Sequence, residues 1–540
     1  MDSSEPTAPV PAASNEALGR TIRSVGRSAS IMLVATLCLL VFQFLTRVLV
    51  IHAITVQQWG DFSLGLALTS FLALLSSFGV PTAVARSLAF ETTMADRWKV
   101  VRTASTVTFS AAVAAAILVF LFSTQIAGVF HKPELGPILA LFSVTVAATM
   151  VSQVLAGFFQ GLERVGPNAI FNQILNPALF LVFTSLFLFF HWGFEGALLG
   201  YVLSWVASLG ALGLYTALRL KPALTSAATR AFEGDASARV PFFELAITLF
   251  GVAALAYVTS YGDTIILGLF KPSTAVAQYS TAMTLARLFL VSAGTITYIF
   301  LPVSARLRRQ RDFGTLRRSY VTSSRWLLAI ALPMFFVFFF DAGESLRFTF
   351  GAAYVVAAPA LQVLALSSFV AVLLGPAPPA LGGMGESRLI MGFTLASSVV
   401  NIGLSFTIIP LYGLMGAAVA WSVARVLYPG LCLIRLSTAY QVTPFRSHYL
   451  KPLALSLAIL IPIFVLVIPR PHPIFLPLLF LLAVGVFLGS IVVTRTIDPG
   501  DLVIIGAVER WLHLPLPRLR RFLERRTIAP PVSAALPAGG

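Results

Sequence analysis

WGFEGALLGY at residues 192–201 and YGLMGAAVAW at 412–421 align without a gap, 220 residues apart. Each opens on an aromatic residue and Gly, continues with Gly-Ala three residues on, and closes on an aromatic. A second pair, TRVLVIHAITVQQWGDFSL (46–64) and DTIILGLFKPSTAVAQYST (263–281), stands 217 residues apart. Two echoes at nearly one offset mark an internal repeat, and a repeat decides the architecture before any single element is read.

What is repeated is apolar. Of the 540 residues, 58% are hydrophobic and 11% charged, where soluble domains carry about 25% charged residues. Apolar runs of about 20 residues, each long enough to cross a bilayer as a helix, recur from Ile31 to Val493. We read about fourteen spans. The first eight lie at roughly 31–54, 62–84, 104–126, 136–160, 168–190, 194–218, 242–269 and 276–304. The others lie at roughly 324–341, 354–375, 389–410, 412–434, 450–468 and 474–494, with very tight turns near Gly193 and Tyr412. Six spans separate the repeat copies, so both halves keep one orientation, the pattern of parallel repeats with a substrate path between them. The expected fold class is an all-α polytopic membrane protein: two pseudo-symmetric six-helix lobes and two added C-terminal helices. The lobes are expected at 29–218 and 242–436, joined by a cytoplasmic loop at 219–241, with helices 13 and 14 at 450–494. A disordered tail ending in a basic segment is expected at 1–28, and a basic amphipathic tail at 495–540, suited to lying on the inner leaflet.

The net charge of +16 points to nucleic acid only until it is mapped. With the amino terminus placed in the cytoplasm, Lys132, Lys271, Arg347 and Arg470 fall on the outer side, and Arg47, Arg287 and Arg425 inside spans. The remaining Lys and Arg gather on the cytoplasmic side, which is the positive-inside pattern and sets both termini in the cytoplasm. The densest basic loop, RLRRQRDFGTLRR (306–318), suits anionic lipid headgroups, so nucleic acid is not an expected partner. Cys38 and Cys432 lie in spans and form no disulfide framework. No pair among the six His has metal-ligand spacing, and the first apolar run lacks a signal-peptide cleavage site. Outer loops of roughly 15 residues or fewer leave no room for a catalytic domain, and no phosphate-binding or Walker motif is present. A transporter without a cofactor is expected, not an enzyme, with coupling to H+ or Na+ left open.

Several stretches resemble the polysaccharide and O-antigen flippases of the multidrug/oligosaccharidyl-lipid/polysaccharide exporter superfamily. They are residues 26–86, LAGFFQGLERVGPNAIFNQILNP (155–177), GDTIILGLFKPSTAVAQYSTA (262–282), FLPVSARLRRQRD (300–312), FGAAYVVAAPALQVLAL (350–366) and NIGLSFTIIPLYGLMGAAVAW (401–421). The resemblance runs over about residues 20–495. It implies two six-helix lobes around a central cavity that opens alternately to each side. It also implies a polyprenyl- or dolichyl-linked oligosaccharide, turned from the cytoplasmic to the outer leaflet of the cell membrane, with glycan polymerase or glycosyltransferases as partners. One departure is local: the family pattern Arg-x-Leu-Gly reads Arg47 followed by VLVIHAI here. The alternative within the superfamily is a cation-coupled multidrug exporter, which carboxylates in the first lobe would favour; only Glu195 comes close.

Under that reading, Arg47, Arg287 and Arg425 are candidates for the anionic head group, since guanidinium donates a planar fork to phosphate oxygens and keeps its charge. Each also admits a plainer role, pairing with carbonyls or an Asp to hold helices together. Asp263 sits in TSYGDTIILGLF (259–270) at about the depth of Arg47 in the equivalent helix. An ionisable group at that depth normally has a partner, a cavity or a job. Three roles stay open: a gate with Arg47, a pair with Arg287 in its own lobe, or a proton or sodium site. Asn168, Asn172 and Asn176 share one face of the fifth span, as glycan contacts or as helix–helix hydrogen bonds. Pro177 is expected to kink that helix. Arg86, Glu163 and Arg164 sit at cytoplasmic helix ends.

Overall fold

The computed structural model describes residues 12–90, 93–228, 242–467 and 475–496, and all regular structure among them is helical. Twelve helical segments are apolar and long enough to cross a membrane. They match twelve of the expected spans; the spans expected at 242–269 and 276–304 fall on the helices Phe242–Phe270, Ser273–Ala286 and Phe289–Arg309. The chain divides into two units, Met1–Ala254 and Leu255–Gly540. The expected C-terminal tail and the core of the 219–241 loop lie outside the described residues.

The first unit begins with α1 (Ala12–Ala53), which starts inside the stretch expected as a disordered tail. The run AASNEALGR is rich in helix formers and continues the span inward. The expected second span is two helices, α2 (Val56–Ser77) and α3 (Val80–Phe90). Phe78 and Gly79 between them are left-handed (φ 43° and 72°), and Pro81, which has no N–H to give an earlier carbonyl, sits in the first turn of α3, where proline is tolerated. Helices α4 (Met94–Leu121), α5 (Ser123–Val129) and α6 (Leu135–Gly161) follow. Next comes a π-helical turn, Asn168–Leu175, then α7 (Asn176–Phe189) and α8 (Gly193–Ala228). Pro177, expected to kink this helix, follows directly on the π turn, whose wider winding displaces the carbonyl that a proline ring would strike. Val80, Val84, Phe158, Phe159 and Leu224 form one apolar core. There α3 lies close on α6: a Cβ built at Gly157 would stand 2.7 Å from the Pro81 carbonyl oxygen.

The second unit holds most of α9 (Phe242–Phe270), then α10 (Ser273–Ala286) and α11 (Phe289–Arg309), a break inside the span expected at 276–304. Then come α12 (Phe313–Phe340), α13 (Ala342–Phe350) and a 3-10 turn at Ala352–Ala357. The tenth expected span, 354–375, falls on the end of that turn and on α14 (Ala358–Leu373); α15 (Ala377–Gly383) follows beyond it, parted from α14 at Gly375-Pro376. A hairpin of α16 (Ser387–Tyr412) and α17 (Leu414–Tyr440) follows. Helix α18 (Ser447–Pro462) ends in a π turn, and α19 (Leu476–Val493) completes the described chain. Both pack on α12: Leu460, Phe464, Leu479 and Phe487 share a core with Phe335 and Phe336.

The repeat is visible in geometry as well as in letters. Gly193 and Gly413 both turn left-handed, at φ 53° and 56°, a conformation open to Gly at no steric cost. Three residues on, neither glycine can carry a side chain. A Cβ at Gly196 would stand 2.8 Å from Phe187 Cβ, and one at Gly416 2.7 Å from the Ile408 carbonyl oxygen. Ala197 and Ala417 are both fully buried.

At the end of α17, Arg435 donates from Nε and Nη2 to Glu386 (2.8 and 3.1 Å), and Tyr440 Oη donates to Glu386 Oε1 (2.6 Å). The Arg435 bond holds the Glu386 carboxyl below its ordinary 4.5. A depressed carboxyl adds stability above its unfolded value and loses it as pH falls through the folded one. Glu386→Gln is therefore expected to destabilise the fold at pH 7 by about 1 kcal/mol or less, its arginine partner being exposed, read as a lowered melting temperature, and the difference should shrink as pH falls below the carboxyl's ordinary value. Separately, Gly157→Val should cost about 1–3 kcal/mol by overpacking. Gly210→Val, with open space at its Cβ, should melt like the wild type.

Candidate functional site

Helices α9 and α10 are joined through a buried carboxyl. Asp263 on α9 and Tyr279 on α10 are both fully buried, and Tyr279 Oη donates to Asp263 Oδ2. Asp263 Oδ1 has no hydrogen-bond partner. Arg287, where α10 ends, acts on Asp263 by its charge. Its own bonds go elsewhere: Nη2 donates to the Ser260 carbonyl (2.9 Å) and Nη1 to Tyr261 Oη (3.4 Å), with the guanidinium 4.6 Å from the Tyr261 ring centre. Asp263, Tyr279, Tyr261 and Arg287 thus form one cluster of the second unit.

The 217-residue offset gives this cluster an internal control. Asp263 corresponds to Thr46 and Tyr279 to Phe62. Thr46 is also fully buried but closes its hydroxyl on its own helix, donating to the Phe42 carbonyl (2.8 Å). Phe62 packs among Trp59, Phe142, Phe180 and Tyr201. The two units differ at both positions together: an acid and its phenol donor in one, a self-satisfied hydroxyl and a bare ring in the other.

The other expected residues lie apart from this cluster. Arg47 is half-buried on α1, beside Thr46. Arg425 on α17 lies over the Trp421 ring (5.9 Å), its Nε buried without a partner. Asn172 Nδ2 donates to Asn168 Oδ1 (3.0 Å), and Ser152 Oγ on α6 donates to Asn172 Oδ1 (2.7 Å). Asn176 is buried. Asn172 thus bonds the neighbouring helix, and Asn168 bonds Asn172 within the π turn.

Sequence reading missed three features. Arg97 and Arg325, counted as loop charges, are buried, donating to the Leu224 and Thr496 carbonyls respectively. Their helices extend past the apolar windows, so hydropathy set the edges too late. Lys132, expected as a plain outer-loop charge, feels the buried Asp61 of α2, and its own partial burial holds its ammonium below the ordinary value. The third is a polar row on α16, Ser398, Asn401 and Ser405, all fully buried; its spacing of three and four residues was legible in SSVVNIGLSF. Among the described residues, no three of His, Cys, Asp or Glu converge.

Fold and site together define a class: a polytopic helical transporter built from two repeated units, with ionisable groups buried inside spans. The family model described as polysaccharide biosynthesis protein matches residues 25–308, more than half of the chain. The chain belongs to that family. It is 26% identical to Stage V sporulation protein B of Bacillus subtilis over 446 residues, 77% of this chain and 84% of that one. It is 23% identical to the Putative O-antigen transporter of Shigella flexneri over 391 residues, 71% and 90% of the two chains. Among solved structures, the lipid II flippase MurJ in an inward closed conformation shares the fold, with TM-score 0.65, 14% identity, and coverage of 85% of this chain and 97% of that one. A multidrug resistance MATE family transporter in an inward-facing conformation does so at TM-score 0.57 and 14% identity, over 76% and 98% of the two chains.

Removing the donor from a buried carboxyl leaves the full desolvation penalty, roughly 1–3 kcal/mol, whereas replacing both partners by a compatible pair is nearly neutral. Tyr279→Phe alone is therefore expected to lower the melting temperature in potassium buffer. Asp263→Thr with Tyr279→Phe, which copies the first unit, should recover most of the loss. A double variant no more stable than Tyr279→Phe would show that the pair is not coupled.

Proposed function

We propose that this chain is a flippase. It moves an oligosaccharide joined by phosphate or diphosphate to a polyprenyl or dolichyl lipid from the cytoplasmic to the outer leaflet, by alternating access, in cell-envelope glycan synthesis. Membership of a polysaccharide biosynthesis family supports the cargo class, as do relatives named an O-antigen transporter and a glycan biosynthesis flippase. The observation that carries the reading is the way Arg287 and Arg425 are held. The groups they bond to and stack on are a carbonyl, a phenol and ring faces, all uncharged, while Asp263 acts on Arg287 by its charge. A cation kept so within an apolar helical unit suits a phosphate head group, and guanidinium suits it better than ammonium because its fork is planar. The cell membrane, with both termini cytoplasmic, is the proposed location, and glycosyltransferases or a glycan polymerase the proposed neighbours.

The test is reconstitution into vesicles with a fluorescent polyprenyl diphosphate oligosaccharide, read by the fraction that becomes accessible to an external lectin. Accessibility should rise with time in wild-type vesicles. Arg287→Ala, checked for an unchanged melting temperature, should slow it about tenfold or more, the worth of a lost charged hydrogen bond. Arg287→Lys should fall between the two. Vesicles that leave the glycan lipid in place yet extrude a cationic dye would overturn the reading in favour of drug export.

A further inference from the structure

After its third span each unit turns straight into a short helix. In the first unit Phe122 closes α4 and opens α5; in the second, Asp341 closes α12 and opens α13. The two junction residues stand 219 residues apart, between the two repeat offsets. Each gives its own N–H to the helix behind it, Phe122 to Leu118 O (2.9 Å) and Asp341 to Val337 O (3.1 Å). Their side chains differ. Phe122 is 50% exposed, whereas Asp341 is buried. Asp341 stands at the N-cap of α13, where a carboxylate normally accepts from the first free N–H groups, and it makes no such bond. Its Oδ2 is buried without a partner.

What Asp341 joins to the span is a strap. Helix α13 and the 3-10 turn Ala352–Ala357 pack on α10, α12 and α14. Ala342, Leu346 and Phe350, four residues apart on one helical face, are buried, while Phe348 is exposed. The Phe350 and Tyr354 rings meet at 6.3 Å, with Gly351 between them at φ 100°, open to Gly at no steric cost. Gln362 Nε2 of α14 donates to Phe339 O (2.9 Å), just before the joint. The charged groups of α13, Glu344 and Arg347, pair with each other (3.0 Å). Tyr354 is the titratable group of the turn, and α14 and residues 327–340 of α12 carry none. Tyr279 of α10 serves Asp263. Among the described residues, no cation pairs with Asp341.

A buried carboxyl with an unmet oxygen is costly when charged and far less so when protonated. Burial pushes the Asp341 carboxyl up to about 6, and the charge of Glu344 pushes the same way. We propose that protonation of Asp341 fastens the strap and that its charge loosens it, so that α13 and the turn behind it form an acid-closed cover on one end of the second unit. A loosened strap returns the carboxyl to water and to its ordinary 3.8. Docking is therefore strongest in acid and weakens as pH rises through about 6. Phe122 at the matching joint has no proton to lose, so the device belongs to one unit only. On the orientation proposed above this end is the outer one, and the strap answers to acidity there. Its measurement needs neither that orientation nor a cargo, so it stands or falls apart from the flippase reading.

The purified full-length chain in detergent is followed by hydrogen–deuterium exchange from pH 5 to pH 8, each rate divided by the intrinsic rate at that pH. Protection of residues 342–357 should fall about tenfold between pH 5 and pH 7, as a carboxyl moving between 3.8 and about 6 requires, and level off by pH 8. Asp341→Asn, neutral at every pH, should hold the protected level throughout. Glu344→Gln should move the midpoint to lower pH, since it removes a like charge. The wild-type profile needs no variant to fold. Protection of 342–357 that does not change with pH would overturn the strap, as would the same fall persisting in Asp341→Asn. An equal fall along α12 and α14 would mark stabilisation of the whole unit by acid and overturn it too.

Discussion

In hydrocarbon every backbone N–H and C=O has to find its partner inside the protein, because no water is there to take an orphan. This constraint makes the chain helical, and it also explains how the helices are interrupted. At two of the interruptions a side chain from another element takes a carbonyl. Ser208 Oγ donates to Phe171 O inside the π turn (2.8 Å). Tyr320 Oη donates to Leu374 O (2.6 Å) and Tyr449 Oη to Leu373 O (2.9 Å), at the break between α14 and α15. The breaks are tolerated because they are served by side chains, and each service fixes one helix against another.

That dependence changes what a membrane-embedded polar residue means. Ser208, Tyr320 and Tyr449 carry no implication for transport; they complete a neighbour's backbone. Arg97 and Arg325 do the same at the carbonyls of Leu224 and Thr496. Asp263 differs because a carboxylate accepts only, so it has nothing to offer a carbonyl. A buried acceptor has to be met by a donor or a cation, and Tyr279 meets one of its two oxygens.

Hydropathy reads how much of the chain lies in lipid, and it placed most helices well. The turns at Gly193 and Tyr412 were legible because a two-helix hairpin that tight needs a left-handed residue, and the sequence shows Gly at both. The break after Phe78 was not legible from hydropathy, since α2 and α3 are both apolar; Gly79 and Pro81 were its only local signal. The π turn before Pro177 was not legible, because the sequence shows only the proline. Asp263 announced itself as a charge in an apolar run. Its setting did not: that Tyr279 of α10 meets it is fixed by packing, and no spacing within one helix encodes it.

The repeat supplies the remaining step. A duplicated fold begins with the same residues at equivalent positions, and drift at a lipid face can change them one at a time. Inside a unit it cannot, because a buried acid without its donor costs roughly 1–3 kcal/mol and a buried phenol without its acceptor costs a similar amount. Thr46 with Phe62 and Asp263 with Tyr279 are each self-consistent, whereas the crossed pairs are not. Thr46 needs nothing from Phe62, since its hydroxyl closes on Phe42 O. Asp263 beside a phenylalanine would be an acceptor without a donor. The two units therefore occupy separate stable solutions of one packing problem, and of the two pairs only Asp263 with Tyr279 places a carboxylate there.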